Sequence, residues 1–336
     1  MGDRRRRDRS AVRGLAIACT ALLPAIAAAA ESFPTHALKV IVPYPAGGVV
    51  DTLIRSVSRE VSDRLGQPVV VENRPGGNNI VALQACARAP ADGYTVCAAS
   101  ADGISFNPYL YPQLPYDPER DFTPVTQLVW VNGAIVANAK VLYDSVTGMV
   151  AYARQHPKVV NFASFGAGST PHLFLEWFRR QGDVDITHVP YKGAAQIVPA
   201  LLSGEVDATF LATGFSLPLI RGGKLKALAV TGPTRSPHMP DVSTLAEQGL
   251  DPRIRNWFGV FCPAGTAAVV VERLNGAFAG SVKSPHFRAQ FLDAQDYDPV
   301  GSAPGEFERF LKTDRDNAKA IIERTGIRLS EPGSNP

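Results

Sequence analysis

Two glycine-bearing loops, Pro45-Ala-Gly-Gly48 and Gly166-Ala-Gly-Ser-Thr-Pro171, are the parts of this chain best suited to hold a ligand. Each follows an apolar run and opens a helical pattern, so each places backbone N–H groups at a helix start, where unpaired amides and the helix dipole favour an anion. A carboxylate there gains roughly 0.3 to 1 kcal/mol from the dipole, beyond its hydrogen bonds. In the second loop Thr170 reads as the N-cap and Pro171 as the first helical residue, where a missing N–H is harmless. The amides and hydroxyls of Ser169 and Thr170 then converge with the first-turn amides on one point, and Gly166 and Gly168 supply close approach and positive φ. Gly47 and Gly48 do the same from the first loop, with Tyr44 closing the side. Two helix starts facing one cleft suit a dianion.

Other polar residues near these loops have more than one reading. His172, in a first helical turn, reads as a hydrogen-bonding wall residue, with a general base as the alternative. Asp51 complements the positive end of its helix and Asp207 lies at a strand start near the cleft, while either could read an ammonium group on a ligand. Lys192 either faces the anion or is solvated. Gly166-Ala-Gly168 invites a dinucleotide reading, but Pro171 stands where the third glycine belongs and no Walker lysine is present. There is no GxSxG and no HExxH, and the cysteines lack metal-ligand spacing, so neither an enzyme, a cofactor nor a metal is indicated.

The elements that position the loops repeat. An apolar strand, a glycine loop, a helix and a second strand ending in another glycine turn occur twice, and Gly47 to Gly76 spans 29 positions where Gly166 to Gly193 spans 27. The run Leu38 to Pro43 is β-branched without alternation, the pattern of a strand covered on both faces. Val50, Leu53, Ile54, Val57, Val61 and Leu65 then fall at helical spacing, and Gly66 ends the run. Strand 69–72, helix 79–88 and strand 94–99 continue the alternation, which predicts a doubly wound α/β sheet. Proline-rich residues 103–125 predict an ordered irregular connection. Beyond it, the pattern predicts a strand over Thr126–Val136, a helix over Asp144–His156, strands at Val206–Leu211, Ala227–Thr231 and Asn256–Pro263, helices near 266–281, 284–293 and 304–324, and a last strand at Ile327–Leu329. This order predicts one lobe from 31–131 plus 256–336, a second from 132–255, and a hinge of two crossings.

At 336 residues, 45% hydrophobic and with a mean hydropathy of −0.01, the chain has the length for two cores. Residues 1–30 differ: a run of arginines precedes the apolar stretch Leu15–Ile26 and Ala28-Ala-Ala30, the layout of a secretory signal cleaved near Ala30. The stretch falls short of the roughly 20 apolar residues of a membrane span. The arginines leave the Sec and twin-arginine routes both open. Removing this segment takes away six Arg and two Asp, leaving 28 basic against 29 acidic residues, so the composition argues against a nucleic-acid partner. Three cysteines remain, Cys86, Cys97 and Cys262, for which a Cys86–Cys97 bridge and buried free thiols both fit.

Several motifs resemble a known family. Val42-Pro-Tyr-Pro-Ala-Gly-Gly-Val-Val-Asp51, Glu72-Asn-Arg-Pro-Gly76, Asn107-Pro-Tyr-Leu-Tyr111, Leu114-Pro-Tyr-Asp-Pro118, His188-Val-Pro-Tyr-Lys-Gly193 and Pro240-Asp-Val-Ser-Thr-Leu-Ala-Glu247 are similar, in order, to motifs of the Bug family. These are exported solute receptors of tripartite tricarboxylate transporters. The resemblance implies a two-lobed periplasmic-binding-protein fold of type II-like plan, acting as a monomer that is not an enzyme. It would capture a small organic acid, a di- or tricarboxylate or an aromatic carboxylate, and deliver it to membrane permease subunits. Carried over by position, Tyr44, Ala46, Gly47, Gly48 and Asp51 form one side of the site. Ser164, Gly166, Gly168, Ser169, Thr170 and His172 form the other, Ser100 and Asn107 line the approach, and Asp207, Thr213 and Phe215 border the far end. Here Ala212-Thr-Gly-Phe-Ser216 replaces an often acidic segment, which points to a ligand whose second end is apolar or aromatic rather than a free amino acid. The competing readings are a ligand-sensing adaptor for a signalling system and a periplasmic enzyme acting on a carboxylate.

Overall fold

The computed structural model describes residues 33–329, so the expected export signal over residues 1–30 lies outside the described part. In chain order the strands are β1 (Leu38–Val42), β2 (Val69–Asn73), β3 (Thr95–Ser100), β4 (Phe122–Val131), β5 (Gly133–Asn138), β6 (Asn161–Ser164), β7 (Thr187–Pro190), β8 (Ala208–Ala212), β9 (Leu225–Val230), β10 (Asn256–Pro263) and β11 (Tyr297–Pro299). They form a six-stranded sheet, ordered β11-β4-β10-β3-β1-β2, and a five-stranded sheet, ordered β7-β6-β8-β5-β9. The main helices are α1 (Val49–Leu65), α2 (Ile80–Ala87), α3 (Val146–Gln155), α4 (Thr170–Gly182), α5 (Ala194–Ser203), α6 (Thr213–Arg221), α7 (Ala268–Val282) and α8 (Pro304–Thr325).

Each sheet contains one of the two similar units. β1 pairs in parallel with β2 from Leu38↔Val69 to Val42↔Asn73, and β6 pairs in parallel with β7 from Asn161↔Thr187 to Ser164↔Pro190. In α1 the residues at helical spacing are those buried, from Val50 to Leu65, and Gly66 ends the helix with φ +68. The sheets are mixed, because β10 runs antiparallel to β3 and β4, and β5 runs antiparallel to β8 and β9. The strand expected over Thr126–Val136 is two strands in different sheets, broken at Asn132. Just after the break, Gly133 lies so close to the Phe210 ring and the Leu211 carbonyl that a side chain would collide with both. The chain returns between Val230 and Asn256.

Burial divides into three apolar clusters rather than the expected two. One joins β1, α1, β4 and α7 under the larger sheet, and one packs α5 against β5 and β8 of the smaller. The third takes Cys97 and Phe261 from the larger sheet, Ile135 and Phe162 from the smaller, and Phe174 and Phe178 of α4 with Ile321 and Ile322 of α8.

Some local expectations need correction. Residues 102–110 are helical rather than irregular, opening with a wide π-type turn at Asp102–Phe106 and continuing through Asn107–Leu110, because their apolar side chains pack into the bridging cluster. The helix expected near 284–293 is a short turn at Pro285–Phe287 followed by π-type and 3-10 turns. Residues 327–329 form no strand, although the Leu329 amide donates to the Leu110 carbonyl at 2.9 Å. The strand β11 and helix α6 were not foreseen. Cys86 and Cys97 are joined in a disulfide, and Cys262 is free and buried.

Candidate functional site

The two glycine loops leave the C-terminal ends of β1 and β6, the end of a parallel strand at which α/β proteins place their ligands. Gly47 and Gly166 have φ of +78 and +104, and a Cβ at either would meet no atom within 4 Å. Glycine is required there by backbone conformation, and the space beside both loops is open.

Asp51 organises the first loop. Its Oδ2 accepts the Gly47 N–H and the Arg55 Nε–H, both at 2.9 Å, and its Oδ1 accepts the Asn73 side-chain amide at 2.8 Å. The same Asn73 amide reaches the Tyr44 carbonyl at 2.9 Å. Burial alone pushes the Asp51 carboxyl up, but the hydrogen bonds from Arg55, Gly47 and Asn73 outweigh it and hold it below the usual range. Its acceptors are therefore occupied, and Asp51 shapes the loop rather than reading a ligand's ammonium group. The Gly47 amide is occupied too. The first intrahelical bond of α1 runs from Thr52 N–H to Gly48 O, so the amides of Val49, Val50 and Asp51 precede the ladder and lack intrahelical partners.

The second loop departs further from expectation. Ser169, not Thr170, is the N-cap, and Pro171 falls at the second helical position. The Ser169 hydroxyl donates to the Gly166 carbonyl at 2.6 Å, and the Thr170 hydroxyl donates to Asp102 Oδ1 at 2.6 Å. Each hydroxyl therefore directs its proton to a protein acceptor rather than into the cleft. Ser164 Oγ caps the turn internally, accepting the Gly166 amide at 3.0 Å and lying 2.6 Å from His188 Nε2. His172 is a wall residue: its Nδ1 accepts the Gly168 amide at 3.0 Å, its Nε2 lies 3.6 Å from Glu176, and its ring stacks on His188 with centroids 4.2 Å apart. Burial first, then the neighbouring His172 and Arg179, depresses His188 to about 4 and keeps it neutral.

The two loops meet through a short polar path. The Tyr44 hydroxyl is 2.9 Å from Ser100 Oγ, Asp102 lies two residues beyond Ser100, and Asp102 takes the Thr170 hydrogen bond from the opposite loop. Burial and then the charge of Asp102 raise the Tyr44 hydroxyl well above its usual range. Asp102 itself is 4% exposed, and burial raises its carboxyl to about 6 against the opposing Thr170 hydrogen bonds.

Two of the expected residues have other roles. Asn107 is fully buried, with its amide on the Asn78 carbonyl and the Tyr116 hydroxyl and its Oδ1 accepting from the Asn78 amide, so it anchors a neighbouring turn instead of lining the approach. Asp207 does not reach the cleft. It precedes β8 and accepts the Asn161 amide at the start of β6, at the end of the smaller sheet opposite Ser164. Lys192 is exposed. Thr213, by contrast, follows β8 at the same end as Ser164, and its Oγ1 is buried without a hydrogen-bond partner, as is Asn79 Oδ1. Phe215 packs on the edge of the cluster behind Thr213. Sequence reasoning missed Asp102, Asn73, Asn79 and His188. Asp102 and Asn73 carried a usable signal, since each lies at or just beyond the C-terminal end of a parallel strand.

Residues 53–327 match the sequence profile of the tripartite tricarboxylate transporter family receptor. The chain belongs to this receptor family, and among its members to the Bug proteins. BugT of Bordetella pertussis is 33% identical over 321 residues, covering 95% of this chain and 98% of that protein. Two solved structures from Rhodopseudomonas palustris superpose closely. Rpa4515 with adipate has a TM-score of 0.83 at 31% identity, covering 88% of this chain and all of that one. MatC with bound malate has a TM-score of 0.79 at 29% identity, covering 86% of this chain and all of that one. The chain is thus a solute-binding receptor of the periplasmic-binding-protein fold. Among the described residues, no helix is long and apolar enough to cross a membrane.

Proposed function

We propose that the chain is an exported receptor that captures a small organic carboxylate between the loops at 43–48 and 164–170 and presents it to the membrane subunits of a tripartite transporter. The observation that carries this reading is the path Tyr44–Ser100–Asp102–Thr170, which brings two helix N-termini from different sheets to one polar centre. The first-turn amides of α1 are the donors for the carboxylate, and Gly47 and Gly166 leave it room. Thr213 Oγ1 and Asn79 Oδ1 are further unoccupied polar atoms for the ligand. The lobes are 31–131 with 256–336, and 132–255, hinged where the chain crosses between the sheets. A ligand that touches both loops favours the closed arrangement, and the membrane partner reads closure. Adipate and malate in related receptors are of the expected chemical class.

A thermal-shift screen of the mature protein over mono-, di- and tricarboxylates, aromatic acids and amino acids tests the reading. A ligand at about 100 times its dissociation constant adds about 2.7 kcal/mol of stability. No shift with any carboxylate overturns it.

A further inference from the structure

The proposed anion site contains an anion of its own. Asp102 is almost wholly buried, and among the described residues Thr170 is its one hydrogen-bond donor. No lysine, arginine or histidine figures among the groups that set its charge state, which are burial and the Thr170 hydrogen bonds. The other titratable groups sensing it are Tyr44 from the first loop and Tyr111 at the end of the following helical stretch. Under the same stretch Asp314 of α8 is bound to Ser105 and Trp257, and in α4 His172 is engaged by Gly168 and Glu176. Asp102 therefore occupies the N-terminus of α4, where a ligand's second carboxylate would otherwise dock. Close by, Asn79 Oδ1 adds a buried acceptor without a donor, and the Asn79 side chain also acts on Tyr44. Two acceptors and no cation form a poor seat for a second carboxylate and a good one for a donor.

We propose that Asp102 determines specificity: it selects a carboxylate whose far end carries a hydrogen-bond donor, an ammonium foremost, and disfavours a ligand ionised as carboxylate at both ends. This rests on the carboxylate-receptor reading and refines it, assigning the polarity of the ligand's second end to Asp102 rather than to the neutral wall at Ala212–Ser216. A dicarboxylate enters only when Asp102 takes up a proton. Its carboxyl is already raised to about 6 by burial, so dicarboxylate affinity rises as pH falls toward that value, by up to about tenfold per unit, while amino-acid affinity stays level or declines.

Calorimetric titration of the mature protein with γ-aminobutyrate, δ-aminovalerate and ε-aminocaproate, against succinate, glutarate and adipate, provides the test at about pH 8 and about pH 6. At the higher pH the wild type is expected to bind the best amino acid at least about tenfold more tightly than the dicarboxylate of equal length, and the gap narrows at the lower pH. Asp102→Asn and Asp102→Ser reverse the preference and remove the pH response. The wild-type pH comparison decides the matter even if both variants fail to fold. An unchanged order and pH response in the variants, or a pH-independent preference for dicarboxylates in the wild type, overturns the proposal. Binding of none of the amino acids overturns it too, leaving the receptor reading to the broader screen, whereas failure of every carboxylate in that screen removes the reading beneath it.

Discussion

Asparagine at position 51 is nearly the same shape as aspartate, yet it is expected to disable the first loop. Both Asp51 oxygens face donors: Oδ1 faces the Asn73 amide, and Oδ2 faces the Gly47 N–H and Arg55 Nε–H. Whichever way the new amide turns, its NH2 group meets another donor. The less damaging orientation puts it toward Asn73, losing that amide's bond to the charged carboxylate and weakening the ion pair with Arg55. At about 1.5 kcal/mol for the bond to the charged carboxylate and about 0.5 kcal/mol for the weakened ion pair, Asp51→Asn costs about 2 kcal/mol, a fall of roughly 3 °C in Tm for a chain of this size. The loop's aim is lost with its bonds, so affinity for the captured carboxylate falls more than about tenfold. Arg55→Ala is the control. The arginine side chain is 48% exposed, so its ion pair is worth under about 1 kcal/mol, and Gly47 and Asn73 still hold the loop. Thermal melts and titration calorimetry on both variants make the comparison. If Asp51→Asn melts and binds like wild type, or if Arg55→Ala is equally damaging, the loop is not organised as described.

Three further outcomes are expected. Because His188 is depressed from 6.5 to about 4, it favours the folded state when neutral; that contribution is complete above about pH 6.5 and lost as pH falls toward 4, so Tm measured across this window should slope less in His188→Gln than in wild type. Asn107→Ala leaves the Asn78 and Tyr116 groups without their partner in the interior and should cost about 2–4 kcal/mol by denaturant unfolding; a loss below about 0.5 kcal/mol contradicts the anchoring role. Burial pushes the Cys262 thiol up to about 12, so under non-reducing conditions iodoacetamide should label no cysteine in the folded mature protein and one after unfolding.

What could be read from sequence follows from the range of the interactions involved. The strand at Leu38–Val42, the spacing of Val50 to Leu65 and the positive φ of Gly47, Gly166 and Gly168 are local matters of pattern and backbone sterics, and all were legible. The break at Asn132 has a local mark in the Asn132-Gly133 pair, but that its two sides join different sheets depends on distant partners, β10 for Val131 and β8 for Gly133. Hydroxyl partners are equally hidden: nothing local to Thr170 marks Asp102, 68 residues away in sequence, as its acceptor. Asp207 was misplaced for a related reason. A strand start is visible in sequence, but at which end of the sheet it lies relative to Ser164 depends on the parallel pairing of β6 and β8.

The apolar cluster that draws side chains from both sheets limits how such receptors can be recombined. A chimera cut at Asn132 and again before Asn256 would take α4 from one parent and α8 from the other, and the aromatic packing of Phe174 and Phe178 would have to accept foreign counterparts to Ile321 and Ile322. Interiors packed at crystal-like density tolerate few such mismatches in volume. Transplanting ligand preference between relatives is better done by grafting the short segments at 43–51, 100–102 and 164–172, leaving that shared floor intact.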